Sequence, residues 1–156
     1  DLVRSRGLGD VYKRQGVAQI TRTLFRANIV QSIANYSFGG GLYADTDLTI
    51  DDSRFFSNTN LQAGYWESGG GGVFANGGVT MNNTQFISNT DSIDAGGLYA
   101  KSYANVTNSL FQENVARTDS GGMIARGAAV MIAGTRFISN TATATTPAAP
   151  REPGPG

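Results

Sequence analysis

Residues 69–90 read GGGGVFANGGVTMNNTQFISNT, and this stretch decides the fold. Its glycine run resembles a phosphate-binding loop, but such a loop precedes a helix and usually carries a lysine. Here the glycines lead into the apolar run VFA, then an Asn-Gly turn, then Val79 and Met81 two residues apart. Alternation with a period of two is typical of a strand with one buried face. The stretch therefore predicts short strands joined by tight turns rather than a phosphate site.

The end of this stretch belongs to a pattern that recurs five times along the chain. Each copy reads apolar-x-x-[Ser/Thr]-x-Phe-x-x-Asn, and successive copies lie 25 to 31 residues apart. Four of the five copies are preceded by Gly-Gly, two apolar residues and Ala. Most of the variation in length falls between the Asn and the next Gly-Gly, as expected of constant strands joined by one variable loop. The repeated residues are Phe25, Phe55, Phe86, Phe111 and Phe137, and Asn28, Asn58, Asn89, Asn114 and Asn140.

A repeat of this length, built from three short alternating segments, predicts an all-β fold. One copy cannot bury its apolar face alone, whereas stacked copies bury a continuous core. We expect a parallel β-helix (β-solenoid) of about four to five coils over residues 16–142, where a coil is one turn of the solenoid. Alternation directs Leu48 and Ile50 inward, and after a two-residue bend it directs Ser53 and Phe55 inward in the same way. The Asn after each strand is expected to adopt turn conformations and to form a structural ladder of amides between coils.

The two ends of the chain differ in character from the repeats. Residues 1–15, DLVRSRGLGDVYKRQ, resemble translated sequencing-adapter read-through, so we expect a non-native, disordered segment. The alternative is a genuine basic N-terminal arm. Residues 143–156 hold all four prolines and predict a disordered tail or linker. The chain is expected to be an excerpt from a longer protein.

Composition excludes several classes of function. The formal net charge is zero, which gives no reason to expect a nucleic-acid partner. The chain contains no Cys and no His, which excludes Cys nucleophiles, Cys-ligated metals and His-based triads. No apolar run approaches the roughly 20 residues of a membrane-spanning helix, so we expect no membrane insertion of this segment. No cofactor is expected.

The Gly-Gly and F-x-x-N motifs together resemble the polymorphic outer membrane protein repeat family. More broadly, they resemble right-handed parallel β-helix proteins of the pectin-lyase-like class, and the resemblance covers about residues 17–142. It implies a right-handed coil with three parallel sheets. It also implies a bacterial protein that is secreted or held at the outer-membrane surface, often as a passenger or adhesin-like stalk. Glycine replaces the family's frequent Ala at Gly41, Gly72, Gly97 and Gly122.

These observations predict a non-catalytic, structural or adhesin-like segment. The alternative is a fragment of a carbohydrate-active enzyme, a lyase or hydrolase, whose catalytic coils lie outside this chain. Such enzymes need paired carboxyl groups, or Asp residues on calcium with an Arg base. The four acids of one coil, which no recurring Arg accompanies, are weak calcium candidates, and a solvated acidic coil is the favoured interpretation. They are Asp45, Asp47, Asp51 and Asp52.

Aromatic residues supply the candidate binding surface. If the residue after each Gly-Gly points inward, then Tyr43, Phe74 and Tyr99 point outward, one per coil. Stacked aromatic rings bind sugar rings or partner surfaces. Tyr65 and Trp66 lie in the longest loop and form a second candidate contact. The expected partner is a carbohydrate or a host or cell-surface protein. The alternative is that these rings cover the sheet or lie beneath the long loops.

Overall fold

The computed structural model describes residues 3–5, 10–12, 17–32, 37–62 and 68–143, with side chains from Val17 onward. These residues form 23 strands and no helix. Every strand pair is parallel, and the strands stack as a β-solenoid of about four turns, which confirms the predicted fold class.

In chain order the strands are β1 (Val3–Ser5), β2 (Asp10–Tyr12), β3 (Ala18–Thr21), β4 (Thr23–Arg26), β5 (Ile29–Ser32), β6 (Ser37–Phe38), β7 (Leu42–Ala44), β8 (Leu48–Asp51), β9 (Arg54–Phe56), β10 (Thr59–Gln62), β11 (Ser68–Gly69), β12 (Val73–Ala75), β13 (Val79–Asn82), β14 (Gln85–Ile87), β15 (Thr90–Asp91), β16 (Leu98–Ala100), β17 (Ala104–Thr107), β18 (Leu110–Gln112), β19 (Val115–Ala116), β20 (Met123–Ala125), β21 (Val130–Ala133), β22 (Arg136–Ile138) and β23 (Thr141–Ala142).

Four longer sheets run along the solenoid, whereas the resemblance implied three. The aromatic sheet (β2, β7, β12, β16, β20) follows each Gly-Gly, and the aliphatic sheet (β3, β8, β13, β17, β21) comes next. The Phe sheet (β1, β4, β9, β14, β18, β22) holds the repeated Phe. A post-Asn sheet (β5, β10, β15, β19, β23) completes each coil. A short pair, β6 and β11, forms a separate two-stranded sheet and is called the cover pair.

The inward side chains form continuous rows, because each position pairs with the same position in the next coil. Ile50 pairs with Met81 and Met81 with Val106, and all three are buried. The five repeated Phe rings stack with centroids 4.7–4.9 Å apart and nearly parallel planes. Offset stacking of this kind adds to the free energy gained from area burial. The core is therefore the lumen of the solenoid.

The repeated asparagines form a ladder of hydrogen bonds. The Nδ2 of Asn89 donates to the Oδ1 of Asn114 and to the carbonyl oxygen of Phe55, each at 2.9 Å. The Oδ1 of Asn89 accepts from the Nδ2 and the backbone N–H of Asn58, at 2.9 and 3.0 Å. The same pattern runs from Asn28 to Asn140. A buried amide of this kind has each of its polar atoms satisfied, as buried polar groups require.

The tight corner after the Phe sheet in each coil is formed by the residue next to the ladder asparagine, not by the asparagine itself. The residue before each ladder Asn has positive φ, as at Ser57 (52°) and Ser88 (53°). The turn conformation that the sequence suggested for the Asn itself is therefore found one residue earlier, because the Asn side chain is directed inward. A second left-handed corner lies between the aliphatic and Phe sheets, at Asp52 and Asn83 among others.

The Gly-Gly pairs allow neighbouring coils to approach closely. A Cβ on Gly71 would lie 2.4 Å from the backbone oxygens of Gly96 and Thr90. A Cβ on Gly72 would lie 2.8 Å from the ring of Phe86. Real Cβ atoms do not approach other atoms this closely, so any larger residue would push adjacent coils apart.

The ends of the chain are only partly described. Within residues 1–15, β1 pairs with β4 and β2 pairs with β7, so part of this segment continues the solenoid. Its predicted origin as adapter sequence stays a prediction. The predicted tail, residues 143–156, lies outside the described residues apart from Thr143.

Candidate functional site

The outward aromatic residues form one stack, but most of it is buried. Ring centroids lie 5.7 Å apart for Tyr43 and Phe74, and 5.0 Å apart for Phe74 and Tyr99. Phe74 is 2% exposed and Tyr99 is 1% exposed, whereas Tyr43 is half-buried. The exposure expected of Phe74 and Tyr99 as ligand-binding residues is therefore wrong. The rings do point away from the lumen, but other segments lie over them.

The cover consists of the cover pair and of cationic side chains from later coils. The ring of Phe38, in β6, lies 4.4 Å from that of Phe74. A Cβ on Gly69, in β11, would lie 2.7 Å from the ring of Tyr99, so this backbone rests directly on the aromatic ring. The Lys101 ammonium lies 5.6 Å from the centre of Phe74. Cations over aromatic faces are stabilising, more so where water is excluded.

The Tyr99 end of the stack is held by Arg126. Its guanidinium lies 5.4 Å from the centre of the Tyr99 ring, and its Nε donates a hydrogen bond to the Tyr99 hydroxyl oxygen. Arg126 also forms an exposed ion pair of 3.7 Å with Asp119. The aromatic stack is thus a packed element of the fold. The other predicted contact, Tyr65 and Trp66, lies outside the described residues.

The acids of the predicted calcium cluster are each engaged by the coil that follows. The Oδ1 of Asp45 accepts from the Nδ2 of Asn76 at 3.1 Å, and the Oδ1 of Asp47 accepts from the backbone N–H of Gly78 at 2.7 Å. Asp47 also accepts from the Tyr103 hydroxyl, and burial together with Asp47 raises the pKa of that phenol.

Asp51 and Asp52 make the same kind of contact. Their Oδ1 atoms accept from Asn82 at 3.0 Å and from Asn83 at 2.6 Å. Within the described ranges, no three of His, Cys, Asp and Glu lie close enough to hold a metal ion. The four acids therefore act as rungs between coils along the outside of the solenoid.

A buried polar cluster beneath the cover pair was not predicted. Asp91 is 2% exposed; its Oδ1 accepts from the Nδ2 of Asn60 at 2.7 Å and its Oδ2 from the backbone N–H of Ile93 at 2.9 Å. Burial raises the pKa of the Asp91 carboxyl to about 6, although these hydrogen bonds favour the charged form. The nearby carboxyl of Asp94 raises the same pKa further. Asn60 and Asp91 occupy equivalent positions in β10 and β15, which no repeated residue type marks.

The outer face of the Phe sheet carries an exposed groove that sequence reasoning also missed. The groove has a volume of about 320 Å³ and is lined chiefly by Leu24, Arg26, Arg54, Phe56 and Ile87. These residues alternate with the inward Phe row, so strand periodicity alone could have placed them on one surface. Across β4, β9, β14, β18 and β22, whose side chains the structure describes, the outward positions include no acidic residue; they are Leu24, Arg26, Arg54, Phe56, Gln85, Ile87, Leu110, Gln112, Arg136 and Ile138.

Two guanidinium groups are held in place over this groove. The Arg26 guanidinium lies 5.5 Å from the centre of the Phe56 ring. The Nε of Arg54 donates to the Oε1 of Gln85 at 2.9 Å. Neither group pairs with an acid in the part of the chain that the structure describes. The groove thus combines an aromatic floor with two uncompensated positive charges.

Comparison with models of protein families, with curated proteins and with solved structures found no match to this chain. Over the described residues, the chain has no helix of the length and hydrophobicity needed to span a membrane.

Proposed function

We propose that this chain is a non-catalytic, structural and adhesin-like segment of a secreted or surface-displayed bacterial protein. The observation that carries the proposal is the continuity of the Asn ladder and the Phe row through every coil from Phe25 to Asn140. The inward side chains of each coil stack on, or hydrogen-bond to, those of the next coil. Such an arrangement suits a stiff support that holds its outer surface in a fixed geometry.

The groove over Arg26, Arg54 and Phe56 is the contact surface of this segment. Guanidinium groups bind carboxylate or sulfate through paired hydrogen bonds, and an aromatic face binds the apolar side of a sugar ring. An acidic cell-surface polysaccharide is therefore the partner that fits best. A surface protein with an acidic patch is the second candidate, because it offers the same charge.

Placement at the bacterial surface rests on the resemblance of the two repeated motifs to polymorphic outer membrane protein repeats. Further coils of a parent chain are a third proposed partner. Such a coil would bury Ile132 and Phe137, which are 46% and 44% exposed although they continue buried rows.

Binding to immobilised polygalacturonate tests the contact surface. We expect salt-sensitive binding by the wild type, and a loss of at least tenfold in affinity for Arg26→Glu with Arg54→Glu. Arg136→Glu, which reverses one charge on the same outer face beyond the groove, is the control for the single variant Arg54→Glu, because the two change the net charge equally. Equal binding by the double variant and the wild type would contradict the assignment of the groove.

A cleavage assay distinguishes display from the enzyme alternative. The same polysaccharide, incubated with the chain with and without Ca²⁺, should show neither new reducing ends nor unsaturated products. Turnover above the level of a heat-unfolded sample would favour a lyase or hydrolase and would overturn the non-catalytic proposal.

A further inference from the structure

We propose that Asp91 is a proton-controlled latch that fastens the cover pair over the aromatic stack. When Asp91 is protonated the cover is closed, and when Asp91 is charged the cover opens more often and exposes Phe74 and Tyr99. This inference concerns the aromatic stack and is independent of the groove on the Phe sheet.

Asn60 connects the cover pair to Asp91. Its two Nδ2 hydrogens donate to the carbonyl oxygen of Ser37 at 2.9 Å and to Asp91 at 2.7 Å, and the carbonyl oxygen of Gly69 shares one of them at 3.3 Å. Its Oδ1 accepts a hydrogen bond from the Ser37 hydroxyl. One amide side chain therefore joins both cover strands to the buried carboxyl.

The cover pair is short, so the Asn60 bonds add to a small set of other contacts, which include the backbone bond from Gly39 N–H to the Gly69 carbonyl oxygen and the packing of Phe38 on Phe74. β6 and β11 contribute two residues each, and they pair with one another rather than with the four long sheets. Beneath them lie Phe74 and Tyr99, and exposing these rings to water costs free energy. A change in the bonding of Asn60 therefore acts directly on the closed cover.

The charge of Asp91 opposes closure. In the closed state the carboxyl is removed from water, and burial outweighs the hydrogen bonds that favour its ionised form. In the open state it is hydrated and regains an ordinary acidity. Closure and protonation are therefore linked, and acidification through the range near pH 6 favours the closed cover.

The charged neighbours of Asp91 are few in the described part of the chain. Asp94 lies in the turn after β15, and its charge disfavours ionisation of Asp91. Arg126 of the next coil interacts with Asp94, and Arg117 follows Ala116, the partner of Asp91 in β19. The described residues of β10 and of the cover pair that contact the cluster are uncharged. Asp91 is thus the group with a pKa near 6 at this site.

Hydrogen exchange of the cover amides tests the latch. After correction for intrinsic exchange rates, we expect the amides of Gly39 and Gly40 to open about tenfold more often at pH 7.5 than at pH 5. Asp91→Asn should abolish this pH dependence, whereas Asp52→Asn, which neutralises an exposed acid, should retain it. Persistence of the dependence in Asp91→Asn, or its absence in the wild type, would overturn the proposal.

A second measurement needs only the wild type, in case Asp91→Asn does not fold. The carboxyl carbon of Asp91, followed by NMR, should titrate near pH 6 with the same midpoint as the exchange of the cover amides. Midpoints that differ by more than one pH unit would show that another group controls the cover.

Discussion

The side-chain amide of Asn58 donates a 2.9 Å hydrogen bond to the side-chain oxygen of Asn89, and the backbone N–H of Asn58 donates to the same oxygen at 3.0 Å. The side-chain oxygen of Asn89 thereby binds both the backbone and the side chain of the preceding coil. Because the pattern repeats in each coil, the ladder fixes the register of all four sheets at once. Strand register is otherwise weakly specified where side chains are small and polar.

The Phe row is predicted to contribute most where it is fully enclosed. Phe86 is buried between Phe55 and Phe111, with ring centroids 4.8 Å away on each side. Phe86→Ala should lower the free energy of unfolding by about 3–5 kcal/mol, since it removes buried area and leaves a cavity. Urea unfolding followed by circular dichroism measures this loss.

Phe137→Ala is the matched control for that substitution. Its ring is 44% exposed and stacks on Phe111 alone among the described rings, so we expect about half the loss. Equal losses at Phe86 and Phe137 would show that stacking across coils is not what stabilises the row.

The left-handed corners are predicted to reject β-branched residues. Ser57 has φ of 52°, a conformation that is strained for a branched side chain. Ser57→Val should therefore lower the free energy of unfolding by about 1–2 kcal/mol. Thr49→Val, on the outer side of β8, is the control and should be neutral or slightly stabilising, because strands favour Val. Thermal unfolding compares the two, and a harmless Ser57→Val would contradict the corner geometry.

The free energy of unfolding is predicted to rise as the pH is lowered from 7.5 to 5. The folded pKa of Asp91 is about 6, above the ordinary value of 3.8, so the folded state binds the proton more tightly than the unfolded state. This contribution to stability is complete below about pH 3.8 and is lost as pH rises through about 6. Between pH 7.5 and pH 5 we expect a gain of about 1.4 kcal/mol in urea unfolding.

The control for the pH dependence is Asp91→Asn, whose unfolding free energy should be nearly flat over the same interval. The variant is expected to be less stable than the wild type at pH 5, because the backbone N–H of Ile93 would face an amide N–H instead of a carboxyl oxygen. A wild type that loses stability between pH 7.5 and pH 5 would contradict the assigned direction.

The sequence was sufficient to predict the lumen of the solenoid. Ile50, Phe55 and Asn58 recur at fixed spacing, and a row of identical residues through a stack requires only that spacing. The post-Asn sheet was missed because its inward positions hold Val30, Asn60, Asp91 and Ala116, which share no property. The β-branched residue that follows every ladder Asn was the available signal.

The candidate site was harder to predict than the fold. Phe74 and Tyr99 do point outward, as alternation requires, but their burial depends on segments within the variable connections. The repeat sets no conformation for those segments. The groove at Arg26 and Arg54 was not predicted, because its residues belong to no repeated motif. They form one surface only when the strands are in register.

Comparing Asn89→Ala with Asn76→Ala tests most directly whether the inward ladder holds the coils together. Asn89 is buried with four hydrogen bonds, whereas Asn76 is exposed and donates to Asp45 at 3.1 Å. In urea unfolding we expect Asn89→Ala to lose about 3 kcal/mol or more, because buried partners are left unsatisfied, and Asn76→Ala to lose about 0.5 kcal/mol. Losses of similar size in the two variants would contradict a solenoid held by its ladder.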